Sequence, residues 1–328
     1  MRRREFISVL GATAIWPPAV QAQQLTKVYQ VGYLGLPTHA AQTALGLIGA
    51  LKEGLRQHGY VEGTNLAFHW RFAEGKYERL PALAAELVKL NVDIIMTHAT
   101  PGALAAKAAT ATIPIVVIVA ADLVASGLVA SLARPGGNLT GQNVFSAEIA
   151  AKRVELIKEA MPAAKRLAIL INRGNRYSEL ALTAIRRTGQ ALRLEVLPVD
   201  LRAPHEFNDA FAALAKKDIH ALVLVDDPTL IVNAKQLLEL ATKLQAPVIA
   251  GPEIDAKAGL LIAYGVDYRA LWFRSASLAG KILKGAKPSD LPIEQATKFR
   301  LIVNLKRAEA LRFTIPGTLL ARADEVVE

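Results

Sequence analysis

Residues able to hold a small charged molecule sit where apolar runs end. In "NVDIIMTHATPGALAAK" the run stops at Thr97-His98-Ala99-Thr100, and Pro101-Gly102 opens an alanine-rich segment. Pro101 suits a first helical position. A helix beginning there presents unpaired N–H groups around Thr100 to Ala103, a partial positive charge that suits a carboxylate. Thr100 capping its own helix is the simpler use of the same residues. The first apolar run ends at Leu36, Thr38 and His39. A later one ends at Asp122, and "HALVLVDD" ends at Asp227, just before Pro228. Either aspartate can accept an ammonium group, cap the following helix or make a hinge hydrogen bond.

Asn172, Asn175 and Tyr177 follow "KRLAILIN", Glu253 follows "VIAG", and Tyr264 and Asp267 flank the run "AYGVDY". Glu253 equally favours a helix N-terminus, and Tyr264 either stacks on an aromatic ligand or packs as ordinary core. His98 has no second ligand at helical or hairpin spacing, so it reads as a polar residue and not a metal ligand. The sequence calls for no metal and no cofactor.

Motifs for turnover are missing. There is no G-x-S-x-G elbow, no Walker glycine-lysine motif and no H-E-x-x-H. "RPGGN" is glycine-rich but lacks dinucleotide spacing. The chain has no cysteine, which removes disulfides, thiolate metals and thiol nucleophiles. Its formal charge of +10 comes from lysines and arginines scattered among acids. No nucleic-acid-binding motif accompanies that charge, so no nucleic-acid partner is expected. A carboxylate-dependent enzyme and a small-molecule-sensing domain stay open as alternatives.

Positioning these residues requires a framework. The 328 residues suffice for two lobes, and 52% of them are hydrophobic. Short β-branched runs alternate with amphipathic ones, the rhythm of parallel strands covered by helices on both faces. "ARPGGNLTGQNV" interrupts the rhythm before a second strand–helix series starts. Further strand–helix units near the end, "GLLIAYGVDY" onward and "FRLIVN" onward, can complete one lobe each. The chain then crosses between lobes three times, giving a multi-segment hinge beside a cleft, the geometry of hinge closure around a ligand.

The N-terminus reads as an export signal. Arg2-Arg3-Arg4 precede a mostly apolar run from Ile7 to Ile15 and a small-residue exit at Ala19-Val20-Gln21-Ala22. The pair Arg3-Arg4 fits the twin-arginine route, with cleavage expected after Ala22.

The phrases "RRREFISVLG", "LRQHGYVEGTNLAFHWRFAEGKYERLPALAAELVKLNVDII", "IPIVVIVAADLVASGLVASLARPGGNLTG", "ILKGAKPSDLPIEQATKF" and "FTIPGTLLARADEVVE" run almost end to end. Through them the chain resembles the extracytoplasmic substrate-binding proteins of ABC importers, in the tryptophan-binding (TrpX-like) group. The resemblance implies a type I periplasmic-binding fold: two Rossmann-like lobes, each a parallel sheet flanked by helices. It implies capture of an amino acid or aromatic acid in the periplasm and delivery to a permease with its ATPase. On this reading residues 25–141 plus 252–286 form lobe 1, residues 142–251 plus 287–328 form lobe 2, and the protein works as a monomer.

Overall fold

A computed structural model describes residues 27–328 apart from 145, 253 and 255. The export-signal reading and Glu253 therefore lie outside the described residues. The chain builds lobe 1 first, through β1 (Tyr29–Gly35), α1 (His39–Ala44), α2 (Leu47–Gln57), β2 (Leu66–Phe72), α3 (Leu80–Lys89), β3 (Ile94–Thr97), α4 (Ala99–Ala109), β4 (Ile115–Ala121) and β5 (Leu139–Val144). It crosses to lobe 2 for α5 (Ser146–Ala160), β6 (Arg166–Ile171), α6 (Tyr177–Ala191), β7 (Glu195–Asp200), α7 (Phe207–Leu214), β8 (Ala221–Leu224), α8 (Pro228–Val232), α9 (Ala234–Lys243), β9 (Val248–Ala250) and β10 (Ile262–Val266). It returns to lobe 1 with α10 (Tyr268–Leu283) and β11 (Glu294–Gln295). Last come β12 (Phe299–Asn304), α11 (Leu305–Ala310), α12 (Gly317–Leu320) and β13 (Glu325–Val327) in lobe 2.

Strand order explains the architecture. The first sheet runs β11-β5-β4-β3-β1-β2, and the second runs β13-β12-β10-β9-β8-β6-β7. Each lobe thus repeats the doubly wound order 2-1-3-4-5, which places ligands beyond the carboxyl ends of its strands. The β-branched runs foresaw these strands because both faces of the sheets are covered: β4 and β8 are buried almost throughout. Pro198 falls within β7, which is an edge strand and loses nothing by lacking an N–H on its open side.

Three crossings are present, but the sheets divide the chain differently from the sequence expectation. Residues 142–144 belong to β5 in the first sheet, because the glycine-rich "ARPGGNLTGQNV" stretch leads into that strand and does not link the lobes. Strand β10, placed by sequence in lobe 1, pairs in parallel with β9 and stays in the second sheet. Strand β11, placed in lobe 2, pairs with β5 in the first sheet. The third crossing enters lobe 2 from the cleft side, where β10 leaves it. Strand β12 must therefore run the opposite way, and it pairs antiparallel with β10, Val266 opposite Phe299.

Helix α10 is the returning segment that completes lobe 1. It packs along α2 at very close range: a Cβ on Gly54 would lie 2.5 Å from the Phe273 carbonyl oxygen and 2.7 Å from the Ala276 Cβ. Only glycine allows that approach. The contact seats Trp272 and Ala276 in the core formed by Leu51, Leu55 and Met96.

Candidate functional site

The carboxyl ends of β3, β4, β6 and β8 meet across the cleft, and a mainly apolar cavity lies between them. Lobe 1 supplies His98, Ala99, Thr100, the end of β4, Tyr268 and Trp272 to its wall. Lobe 2 supplies Asn175, Tyr177, Asp226 and the α8 residues Pro228, Ile231 and Val232. Aromatic rings line both sides. Trp272 lies 5.3 Å from His98 and 5.8 Å from Tyr268, centroid to centroid, in tilted arrangements.

The start of α4 forms the polar end. The helix begins at Ala99, two residues earlier than sequence suggests, because Ala99 takes a left-handed φ of 60° that turns the chain sharply out of β3. That conformation is costly for a residue with a Cβ, and such strain gathers at functional sites. Pro101 therefore stands third in the helix, where its missing N–H still loses no intrahelical bond. Thr100 is not the cap. His98 occupies that position and makes no side-chain capping bond, while the Thr100 hydroxyl leans 3.4 Å from the Ala121 carbonyl. The N–H groups of the first turn are left without a side-chain cap. Gly102 sits directly against the Thr97 side chain, so a Cβ there would displace it.

His98 is buried and held in a small polar cluster. Its ring nitrogens lie 3.2–3.4 Å from the Gln42 amide nitrogen and 3.4 Å from the Tyr33 hydroxyl. Tyr33 donates to Gln42 Oε1 at 2.7 Å. Burial pushes the His98 pKa down to about 4. The unfolded chain holds a proton on this residue below its ordinary value of about 6.5, and the folded chain does not until near pH 4. Stability thus rises with pH across that window and is lost as pH falls through it. Urea unfolding at pH 7 and pH 4 is expected to show about 3 kcal/mol less loss in a His98→Gln variant than in wild type. Equal losses would remove His98 as the cause.

In lobe 2, α8 begins with Asp227-Pro228, and Asp227 caps it by accepting from Thr229 N at 2.9 Å. Asn172 donates to Asp227 Oδ1 at 3.2 Å and Asn175 to Oδ2 at 3.1 Å. Both oxygens are thus occupied, and Asp227 stands behind the cavity wall. Burial raises its pKa, opposed by these hydrogen bonds. Its neighbour Asp226 reaches the wall. The Arg153 guanidinium grips Asp226 at 2.6 Å and 3.1 Å and also donates to the Tyr264 and Leu224 carbonyls.

Of the sequence-selected residues, the cavity gathers His98, Ala99, Thr100, Asn175 and Tyr177. The other described ones stand elsewhere. Leu36 is buried in the core of lobe 1, on the face of the sheet covered by α3 and α4. Thr38 caps α1 through Ala41 N, and His39 packs edge-on against Trp70 and Phe72. Asp122 closes a turn onto Ala125 N, and Asp267 caps α10 through Ala270 N. Tyr264 stacks on Phe299, and Asn172 braces Asp227 and Gly174 N. Pro101 and Gly102 shape the first turn of α4 without forming the wall. Sequence reasoning missed Gln42, Asp226, Tyr268 and Trp272. For Asp226 a signal existed: aspartate directly before proline at a helix start is a capping signature, which left its neighbour for the cleft.

A family model described as ABC transporter substrate binding protein matches residues 40–327. The chain belongs to that family. It is a solute-binding protein and not an enzyme, and proteins of this family bind small ligands outside the cytoplasm and work with the other ABC transporter components. A tyrosine-binding protein from Clostridioides difficile is 28% identical over 259 residues, 79% of this chain and 74% of that protein. An ABC domain from Streptococcus pneumonia in complex with L-Trp superposes with a TM-score of 0.83 at 24% identity, covering 92% of this chain and 100% of that one. The ligand-free, open structure of a substrate-binding protein with adhesive properties from Clostridium difficile gives 0.64 at 27% identity, covering 92% and 99%. The fold is the type I periplasmic-binding fold, with helices flanking two parallel-sheet lobes. No helix of the described residues is long and apolar enough to cross a membrane.

Proposed function

We propose that this family member captures an amino acid or aromatic acid between its lobes and hands it to an importer. The observation that carries the reading is the cavity itself: aromatic walls from both lobes meeting an uncapped helix start. Trp272, Tyr268 and Tyr177 suit an aromatic side chain. The N–H groups at Ala99 and Thr100 suit its carboxylate. The tyrosine-binding relative supports the ligand class. The lobes here superpose better on the L-Trp complex than on the open, ligand-free protein, although the latter is more similar in sequence. That supports hinge closure as the mode of capture. Asp226, held by Arg153 through both oxygens, is the carboxylate at the wall nearest an ammonium group, and Asp227 stands behind it.

Export by the twin-arginine route with cleavage after Ala22, action as a monomer, and delivery to a permease with its ATPase belong to the same proposal. Thermal-shift screening of the purified chain against single amino acids and hydroxybenzoates tests the ligand class. L-tyrosine or L-tryptophan at a hundred times its Kd is expected to add about 2.7 kcal/mol of stability. No shift with any amino acid or aromatic acid overturns the class.

A further inference from the structure

We infer that Tyr77 is a positioning residue that latches the closed lobes through Asp227, with Asn175 coupling the latch to the cavity. Tyr77 lies in lobe 1, in the short turn between β2 and α3, and packs against the core cluster that includes Leu80 and Leu83. Its hydroxyl donates to Asp227 Oδ2 at 2.5 Å, joining residues 150 positions apart in the two lobes. Asp227 is fully buried. Its other partners, Asn172, Asn175 and the first N–H groups of α8, all belong to lobe 2 and move with it. Separation of the lobes therefore breaks one bond to this carboxylate and leaves the rest. A hydroxyl donating to a buried carboxylate is the stronger kind of hydrogen bond, and here it forms only when the lobes meet.

Asn175 makes the latch responsive. It forms part of the cavity wall, its Oδ1 accepts from Tyr177 N at 3.2 Å, and its Nδ2 donates to the same Asp227 oxygen that Tyr77 uses. A ligand packed on Asn175 and Tyr177 holds this amide and so fixes the orientation of the acceptor. The coupling is one side chain long. This inference rests on the cavity being the ligand site.

The absence of cysteine makes a direct test simple. Cysteines introduced at exposed Ala82 on α3 and Ala212 on α7 carry spin labels, and pulsed electron resonance reads the interlobe distance distribution. The full chain is measured alone and with L-tyrosine, as wild type and as Tyr77→Phe, which removes only the hydroxyl. Circular dichroism and the melting curve verify that each variant is folded. The closed-to-open ratio is expected to fall about tenfold in Tyr77→Phe wherever wild type shows the short distance. Matching distributions in the two proteins overturn the latch. So does a wild-type chain with no short-distance population in either condition, since a latch that never engages holds nothing. If L-tyrosine leaves wild type unmoved while Tyr77→Phe still lengthens the distance, the latch stands and the ligand class fails.

Discussion

Replacing Trp272 with alanine is expected to abolish capture of L-tyrosine or L-tryptophan and to destabilise lobe 1 by about 3–5 kcal/mol. Both effects come from one side chain in two roles. Trp272 is among the largest fully buried side chains, held between α10 and the first sheet with Leu51 and Met96. Its ring also forms the cavity wall beside His98 and Tyr268. Truncation leaves a void that the close α2–α10 packing at Gly54 resists filling, because those backbones are already in contact. The void opens into the cleft and removes the aromatic surface on which a ring would rest. Isothermal calorimetry and urea unfolding read the two effects separately. Trp272→Phe keeps most of the wall and is expected to retain binding within about tenfold. Alanine and phenylalanine variants that bind equally well would take the aromatic wall out of the mechanism.

A second large effect is expected at Arg153, which is not part of the cavity wall. Arg153→Met keeps the length of the side chain and removes its charge. It leaves Asp226 without its cation and the Tyr264 and Leu224 carbonyls without its N–H donors. Breaking one side of a buried pair costs about 3–5 kcal/mol, because the abandoned charge stays buried. For lobes of this size that is a fall of about 10 °C or more in melting temperature. Arg153→Met with Asp226→Leu removes both charges and is expected to recover most of the loss. A double variant no more stable than the single one would mean that the carbonyl contacts, and not the ion pair, carry the cost.

Much of the fold was legible because its strands are buried on both faces. Runs such as "IPIVVIVAAD" and "HALVLVDD" have no polar face to alternate, and only covered parallel sheets want such strands. The places where the chain changes lobe were not legible. Whether β10 joins β9 or returns to the first sheet depends on pairing between distant segments, and Ile262–Val266 has a composition that suits either sheet. At the site, His98, Asn175 and Tyr177 follow from one rule, that ligands sit beyond carboxyl strand ends. Gln42, Tyr268 and Trp272 escape that rule because they project from helices, where a buried Trp or Gln has the same spacing as ordinary core. Ala99 gave no sign of its left-handed backbone, since nothing in an alanine announces it.

The close approach of α2 and α10 also bears on the rate of folding. Gly54 and Ala276 lie more than two hundred positions apart, and no shorter loop of chain can supply the missing wall of lobe 1. The first nine elements must wait, with the apolar face of α2 and the edge at Trp272's place uncovered, until residues 268–283 have been made. Loop closure over such a span is slow and leaves sticky surface exposed in the interval. Lobe 2 has its strands β6 to β10 contiguous in sequence, and only its flank of β12 to β13 is made after α10. The central strands of lobe 2 are therefore expected to pair before lobe 1 is closed by α10, and the cleft comes into being only when both lobes have received their late segments.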